Sequence, residues 1–208
     1  MLMALLGGES LRAGELARDA RLSPSAASNH LRRLRDQGLV VDERVGRNRF
    51  FTLASADVAD ALEAIARIAP VAPVRSLRES RATDALRNGR TCYDHLAGRL
   101  GVAVTDRLVE RGLLALQPGA FALTRCGREW FAALDIDVAA VASRRRSFAR
   151  ACLDWTERRP HLAGALGAAL ADTFVARQWL SRRPGSRAVV LTAAGAEFLE
   201  QKLDLRSP

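Results

Sequence analysis

The chain has 208 residues, 49% hydrophobic and 26% charged, with a mean hydropathy of −0.04. This balance excludes a largely disordered chain, and no apolar run reaches the roughly 18 residues of a membrane span. The formal charge of +9 is nearly all arginine, Lys202 being the only lysine, so a polyanion is the expected partner. Nucleic acid comes first and an anionic membrane second, although abundant arginine and alanine equally suit a GC-rich genome. Cys92, Cys126 and Cys152 form an odd set with no CxxC pair, which argues against a disulfide scaffold. The opening MLMALLGG lacks a basic n-region, so a cytoplasmic protein with reduced thiols and no membrane partner is expected.

Residues 11–20 carry Leu11, Leu16 and three alanines, a short helix set between Gly7-Gly8 and Leu22-Ser23. Ser23 then caps a second helix with Pro24 at its first position, where a missing N–H costs nothing. It should run to about Gln37 and stop at Gly38, which can take the left-handed exit conformation. Its surface is unusual: Ser25, Ser28, Asn29, Arg32 and Arg33 surround a thin seam of Ala26, Leu31 and Leu34. LVVDERVGRNRFFTL follows and alternates apolar with polar around Gly46, as two strands and a turn would. Residues 55–69 read as a Ser-capped helix with an apolar stripe at Val58, Ala61, Leu62, Ile65 and Ile68, ended by Pro70 and Pro73.

Two helices joined by a tight turn and followed by a basic hairpin are the order of a winged helix-turn-helix, whose second helix enters the DNA major groove. On that reading Ser23, Ser25, Ser28, Asn29, Arg32 and Arg33 face DNA, and Arg44, Arg47 and Arg49 form the wing. Between residues 21 and 50 stand seven arginines against three acids. Any single arginine also reads as a solvated charge; the agreement of cap, seam, exit and hairpin favours DNA.

This stretch resembles the DNA-binding core of the ArsR/SmtB family of bacterial repressors. The matching positions are Leu22, Ser23 and Ser25 in the turn, Ser28, His30 and Leu31 in the reading helix, Gly38 to Val40 at the exit, and Gly46-Arg47 in the wing. The resemblance covers roughly residues 1–70 and adds His30 to the expected DNA-facing set. It implies a homodimer in which the 55–69 helix packs against its two-fold mate. The leading helix of that interface is mostly missing after MLMALL, so either the dimer is built differently or the true start lies upstream.

The remainder repeats itself. HLAGRLG at 95–101 recurs as HLAGALG at 161–167, and beyond it Pro118-Gly119 aligns with Pro184-Gly185, Leu123-Thr124 with Leu191-Thr192, and Gly127 with Gly195. Each copy is expected to run helix, helix, strand, proline-glycine turn, strand, and a threonine-capped helix. The fold class is therefore mainly α with small β wings (α+β): a winged helix-turn-helix domain at 1–70, a linker and helix at 71–90, one winged-helix-like repeat at 91–138, and a connector with the second repeat at 139–208. The second helices of the copies, VTDRLVER and LADTFVAR, lack the serine, asparagine and arginine face. They suit a sensing or dimer-supporting role more than further DNA contacts.

Metal-sensing members of the family place cysteines in the first helix of the helix-turn-helix or Asp/His ligands on the dimer helix. Here ELARDARL has no cysteine and SADVADALEAIARIA no histidine. A different set is present. Cys92 and His95, three apart, would share a helix face, and Cys152 and His161 flank the start of the second copy. If the copies pack about a pseudo-two-fold axis, the four could form a Cys2His2 set for a transition metal, with Asp154 or Glu157 nearby. A redox switch of Cys92 and Cys152, with Arg90 or Arg150 stabilising a thiolate, an organic effector, or no effector remain alternatives. Trp130, Trp155 and Trp179 with Phe131, Phe148 and Phe174 suit a core more than an effector pocket. No phosphate loop, GxSxG or HExxH is present. A Cys92-His161 hydrolase and a protein-interaction module are thus the rivals to a DNA-binding regulator.

Overall fold

A computed structural model describes residues 1–6, 10–68, 77–183 and 186–206. The expected stops at Gly7-Gly8, Pro70 and Pro73 and the turn at Pro184-Gly185 lie outside these residues. Two units divide at residue 71: Met1–Val71 and Ala72–Pro208.

The first unit runs α1 (Leu2–Leu5), β1 (Leu11–Arg12), α2 (Ala13–Asp19), α3 (Pro24–Asp36), β2 (Val40–Val45), β3 (Asn48–Leu53) and α4 (Ala56–Ile68). Ser23 Oγ accepts from Ala26 N at 3.3 Å and caps α3. Gly38 leaves that helix at φ +69°. Gly46, at φ +60°, takes the first position of the two-residue loop joining β2 to β3, where a hairpin of this kind needs glycine. The helix expected from residue 11 begins two residues later. Leu11 and Arg12 are extended and pair with Phe51 and Phe50 on the outer edge of β3, making a third strand that alternating hydrophobicity could not show in two residues. The seam of α3 keeps Leu31 but is centred on Ala27 rather than Ala26. Ala27 and Leu31 are its buried residues, while Ala26 and Leu34 are half-buried. Besides Ala27 and Leu31, the buried side chains of the unit include Leu16, Ala17, Val40, Phe51 and Leu53.

The second unit opens with α5 (Leu77–Asn88) and then carries two copies of one pattern. The first is β4 (Arg90–Cys92), β5 (His95–Ala97), α6 (Gly98–Glu110), β6 (Leu114–Gln117), β7 (Ala120–Leu123) and α7 (Arg125–Ala132). After α8 (Val138–Ala142) the second follows as β8 (Arg150–Leu153), β9 (Pro160–Ala163), α9 (Gly164–Ala176), β10 (Leu180–Arg182), β11 (Val189–Leu191) and α10 (Ala193–Leu203). The expected pair of helices opening each copy is therefore a β-hairpin and one helix. His-Leu-Ala is buried throughout in both copies and so takes a strand. Gly98 and Gly164 then turn at φ +74° and +78°, a conformation that keeps any helix from starting earlier. The threonine caps form as read: Thr124 accepts from Gly127 N at 2.9 Å and Thr192 from Gly195 N at 3.1 Å.

The copies trade edges. Strand β8 of the second pairs with β7 of the first, with Arg150 opposite Ala120, and completes a sheet of order β6-β7-β8-β9. Reciprocally, Arg90 of the first copy bridges Ala188 at the second copy's wing. The same arginine position meets the same alanine position in both directions, which is a pseudo-two-fold arrangement. The β content accordingly extends beyond small wings, into hairpins ahead of each helix and a four-stranded antiparallel sheet.

One core fills the unit. Trp179 stacks on Phe198 with ring centroids 3.7 Å apart, Phe174 meets both edge-on, and Trp130 packs at the margin. These aromatics are core rather than the lining of a pocket. Trp155 stands apart, beneath the Arg90 guanidinium at 4.7 Å.

Candidate nucleic-acid interface and a buried cysteine-histidine cluster

Helix α3 is anchored by Ala27 and Leu31 and turns its opposite side outward. Ser25, Ser28, Asn29 and Arg32 follow i, i+3, i+4, i+7 spacing on that side, all exposed, with His30 and Arg33 exposed beside them. Two of the polar groups are held in place. Arg32 Nη2 donates to Asn29 Oδ1 at 2.7 Å, and Ser28 Oγ donates back to Pro24 O at 2.8 Å. Ser23 serves the cap and also lies 3.2 Å from Ser25 Oγ. In the wing Arg44, Arg47 and Arg49 are exposed. Arg44 Nε donates to Gly46 O at 3.3 Å, and Arg49 pairs with Asp42 at 3.0 Å.

The helices that occupy the equivalent place in the two C-terminal copies are different. Nine of the 13 residues of α9 are buried, including Phe174. On α6, Asp106 pairs with Arg159 at 2.8 Å, while Arg107 pairs with Glu110 and Asp204 and donates to Leu203 O. Helix α9 is committed to the interior of its unit, and these charged groups of α6 are paired within that unit.

Cys92, His95, Cys152 and His161 come together: all four are buried, and their ligand atoms lie within 4.8 Å of one another. Such a cluster can hold a metal ion. Cys92 and His95 do not share a helix face as expected; they sit opposite each other across the β4–β5 hairpin, as Cys152 and His161 do across β8–β9. Nε2 of His95 and Nε2 of His161 face each other at 3.1 Å. Each ring turns its other nitrogen to an aspartate, His95 Nδ1 lying 3.4 Å from Asp94 Oδ1 and His161 Nδ1 3.5 Å from Asp154 Oδ2. The second separation is too long for a hydrogen bond, and among the described residues His161 Nδ1 is a buried nitrogen with no hydrogen-bond partner.

The electrostatics favour a thiolate. Hydrogen bonding from Cys92 holds Cys152 far below the ordinary thiol range against the opposing effect of burial, with both imidazoles adding to it. His161 is pushed down by burial, whereas for His95 the Asp94 and Cys152 contacts overcome burial and raise it.

Asp154 stands beside the cluster as expected, but Arg90 does not play the part its sequence position suggests. Arg90 is fully buried and pairs with Asp154 at 2.8 Å rather than with a thiolate. Asp154 accepts in addition from Gly98 N, Thr156 N, Thr156 Oγ1 and Glu157 N. Burial would raise this carboxyl, but the Arg90 charge and these donors hold it well below the usual carboxylate range. Asp94, paired with Arg146, went unnoticed in the sequence. The signal was there: Cys-x-Asp occurs in both copies, as Cys92-Tyr93-Asp94 and Cys152-Leu153-Asp154. Cys126 is exposed on α7 and outside the cluster.

A capped, arginine-bearing helix above a three-stranded wing defines the first unit as a winged helix-turn-helix. The family model for bacterial regulatory proteins of the arsR family matches residues 1–41. Over 206 residues, 99% of this chain and 91% of the relative, the sequence is 41% identical to a Bacillus subtilis (strain 168) protein named "Uncharacterized HTH-type transcriptional regulator YdfF". The chain belongs to the arsR family of helix-turn-helix transcriptional regulators, and its role is DNA-binding regulation of transcription. Among the described residues no helix is long and apolar enough to cross a membrane.

Proposed function

We propose that the chain is a dimeric, sequence-specific repressor that reads its operator with α3, grips the backbone with the wing, and is released by a signal received in the C-terminal unit. The observation that carries this reading is the outward face of α3. Ser25, Ser28, Asn29, His30, Arg32 and Arg33 contribute nothing to the core and present hydrogen-bonding groups at the spacing a major groove admits. Ser23 holds the helix start, and Arg44, Arg47 and Arg49 are the phosphate contacts. The buried α9 and the self-paired α6 support a regulatory rather than DNA-reading role for the two copies.

Helix α4 supports dimerisation. Ile65 and Ile68 of its apolar stripe are 57% and 83% exposed in the single chain, and a two-fold mate would cover them. The reading is tested with an operator selected from random duplexes. Asn29→Ala and Arg32→Ala should each lose about 1 to 3 kcal/mol of specific binding, a roughly 5- to 150-fold rise in Kd, with non-specific binding nearly unchanged. Unaltered operator affinity in both variants would remove α3 as the reading helix. Sedimentation of Ile65→Glu should show a monomer; a retained dimer would move the interface off α4.

A further inference from the structure

The four side chains of the buried cluster come from two hairpins of two different repeats, yet they converge on one point. Two observations fit a cation at that point. First, both imidazoles set Nδ1 against a carboxylate, Asp94 for His95 and Asp154 for His161. With Nδ1 turned toward a carboxylate, each ring offers Nε2 to the same point, and the two Nε2 atoms lie 3.1 Å apart. In the neutral Nδ1–H tautomer each ring has an Nε2 lone pair to give to one shared ion. Second, the Nε2 separation is already close to the roughly 3.3 Å edge of a tetrahedron built with metal–nitrogen bonds of about 2.0 to 2.1 Å. The widest spacing in the set, 4.8 Å, closes by small side-chain rotations.

We propose that Cys92, His95, Cys152 and His161 bind one thiophilic divalent cation of the zinc class in a closed tetrahedral site that pins the two repeats together. Two sulfurs and two imidazole nitrogens select such an ion over the hard, oxygen-preferring cations. Both cysteines coordinate as thiolates, any thiol proton leaving to solvent, and both histidines coordinate neutral through Nε2. Two thiolate charges then cancel the charge of the ion, so the filled centre is neutral in its buried setting. All four ligands are at most 3% exposed, which leaves no open position for substrate and marks a holding site rather than a catalytic one. Gly167 makes room for the ligand arrangement: a β-carbon there would lie 2.4 Å from Leu162 O, so α9 lies against the histidine strand of its own copy only without a side chain, and it would crowd His95 Cβ of the other copy at 3.3 Å. This inference does not depend on the operator reading, because it concerns the second unit alone.

The test uses the full chain, purified reduced and without chelator, with metal content read by native mass spectrometry and cobalt(II) offered as a spectroscopic probe. One zinc per chain is expected. Cobalt should bind one to one with the intense visible bands of a tetrahedral site and a thiolate charge-transfer band in the near ultraviolet. Cys126→Ser should keep both signals, and Cys92→Ser and His161→Ala should lose the metal or weaken it at least tenfold. The cobalt spectrum of the unaltered protein decides independently of whether those two variants fold. A weak octahedral spectrum, sub-stoichiometric metal that dialyses away, or full metal retention in Cys92→Ser would each overturn the proposal. So would a metal-free chain two hydrogens lighter with Cys92 joined to Cys152. Operator binding is measured on separate samples, so a failure of the metal site and a failure of DNA recognition are told apart.

Discussion

Arg90 and Asp154 offer the sharpest test of how the second unit is held together. Both side chains are completely buried and pair at 2.8 Å, so removing either partner leaves a charge in the interior, at a cost of about 3 to 5 kcal/mol. The two ends are not equally exposed to that loss. In Arg90→Met the carboxylate keeps four other donors within 3.0 Å, two of them from the Thr156 backbone and hydroxyl. In Asp154→Asn the guanidinium keeps two longer neutral contacts, to Leu86 O at 3.2 Å and Thr156 Oγ1 at 3.3 Å, and the face of Trp155. We therefore expect about 3 kcal/mol for Arg90→Met and about 4 to 5 kcal/mol for Asp154→Asn, a fall in Tm on the order of 10 °C. The double variant carries no buried charge, and it should be no less stable than Asp154→Asn alone. The assay is urea unfolding followed by tryptophan fluorescence, because Trp130, Trp155 and Trp179 all lie in the second unit and none in the first. Metal content is held equal across the variants. Single losses below about 1 kcal/mol, or a double variant as costly as the sum of the singles, would refute the assignment of this pair as a mutually dependent buried ion pair.

The wing predicts a salt effect. Each phosphate contact contributes about −0.9 to the slope of log K against log salt, so Arg47→Ala should flatten the slope by about one unit and weaken all sequences alike. Arg49 already pairs with Asp42 at 3.0 Å, so Arg49→Ala should change the slope less; a changed base preference in either variant would put the wing in direct readout instead. Gly164→Ala tests the strand-to-helix turn. At φ +78° a β-carbon would lie 2.5 Å from Ser147 O, so a loss above about 2 kcal/mol in the same fluorescence assay is expected, and a neutral result would mean the turn relaxes.

The DNA-binding unit was largely legible because its signals are local. A serine cap with proline behind it, a glycine at a left-handed exit and a glycine in a two-residue hairpin each act within a few residues, and each forms where the sequence places it. What failed there was small in scale: two residues of edge strand, and a seam set on Ala27 rather than Ala26. The C-terminal copies misled at HLAG for a related reason. A fully buried run of three or four apolar residues has no periodicity to separate strand from helix, and burial on both sides was a property of the packed unit.

The sequence by itself determined the arginine-bearing second helix of the helix-turn-helix, the hairpin, the duplication and the identities of the four cysteine and histidine side chains. It could not determine how those four relate. A fixed offset of 66 residues joins His95 to His161 but sets Cys92 against Arg158, because the second hairpin has eight residues between its cysteine and histidine where the first has two. The shared Cys-x-Asp marks Cys152 as the counterpart of Cys92 and strand register sets each opposite its histidine, but only the reciprocal edge pairing of the two repeats brings the hairpins face to face. Register and edge pairing depend on backbone hydrogen bonds between distant segments, which carry no side-chain signature, so tertiary structure alone decided that these residues make one site.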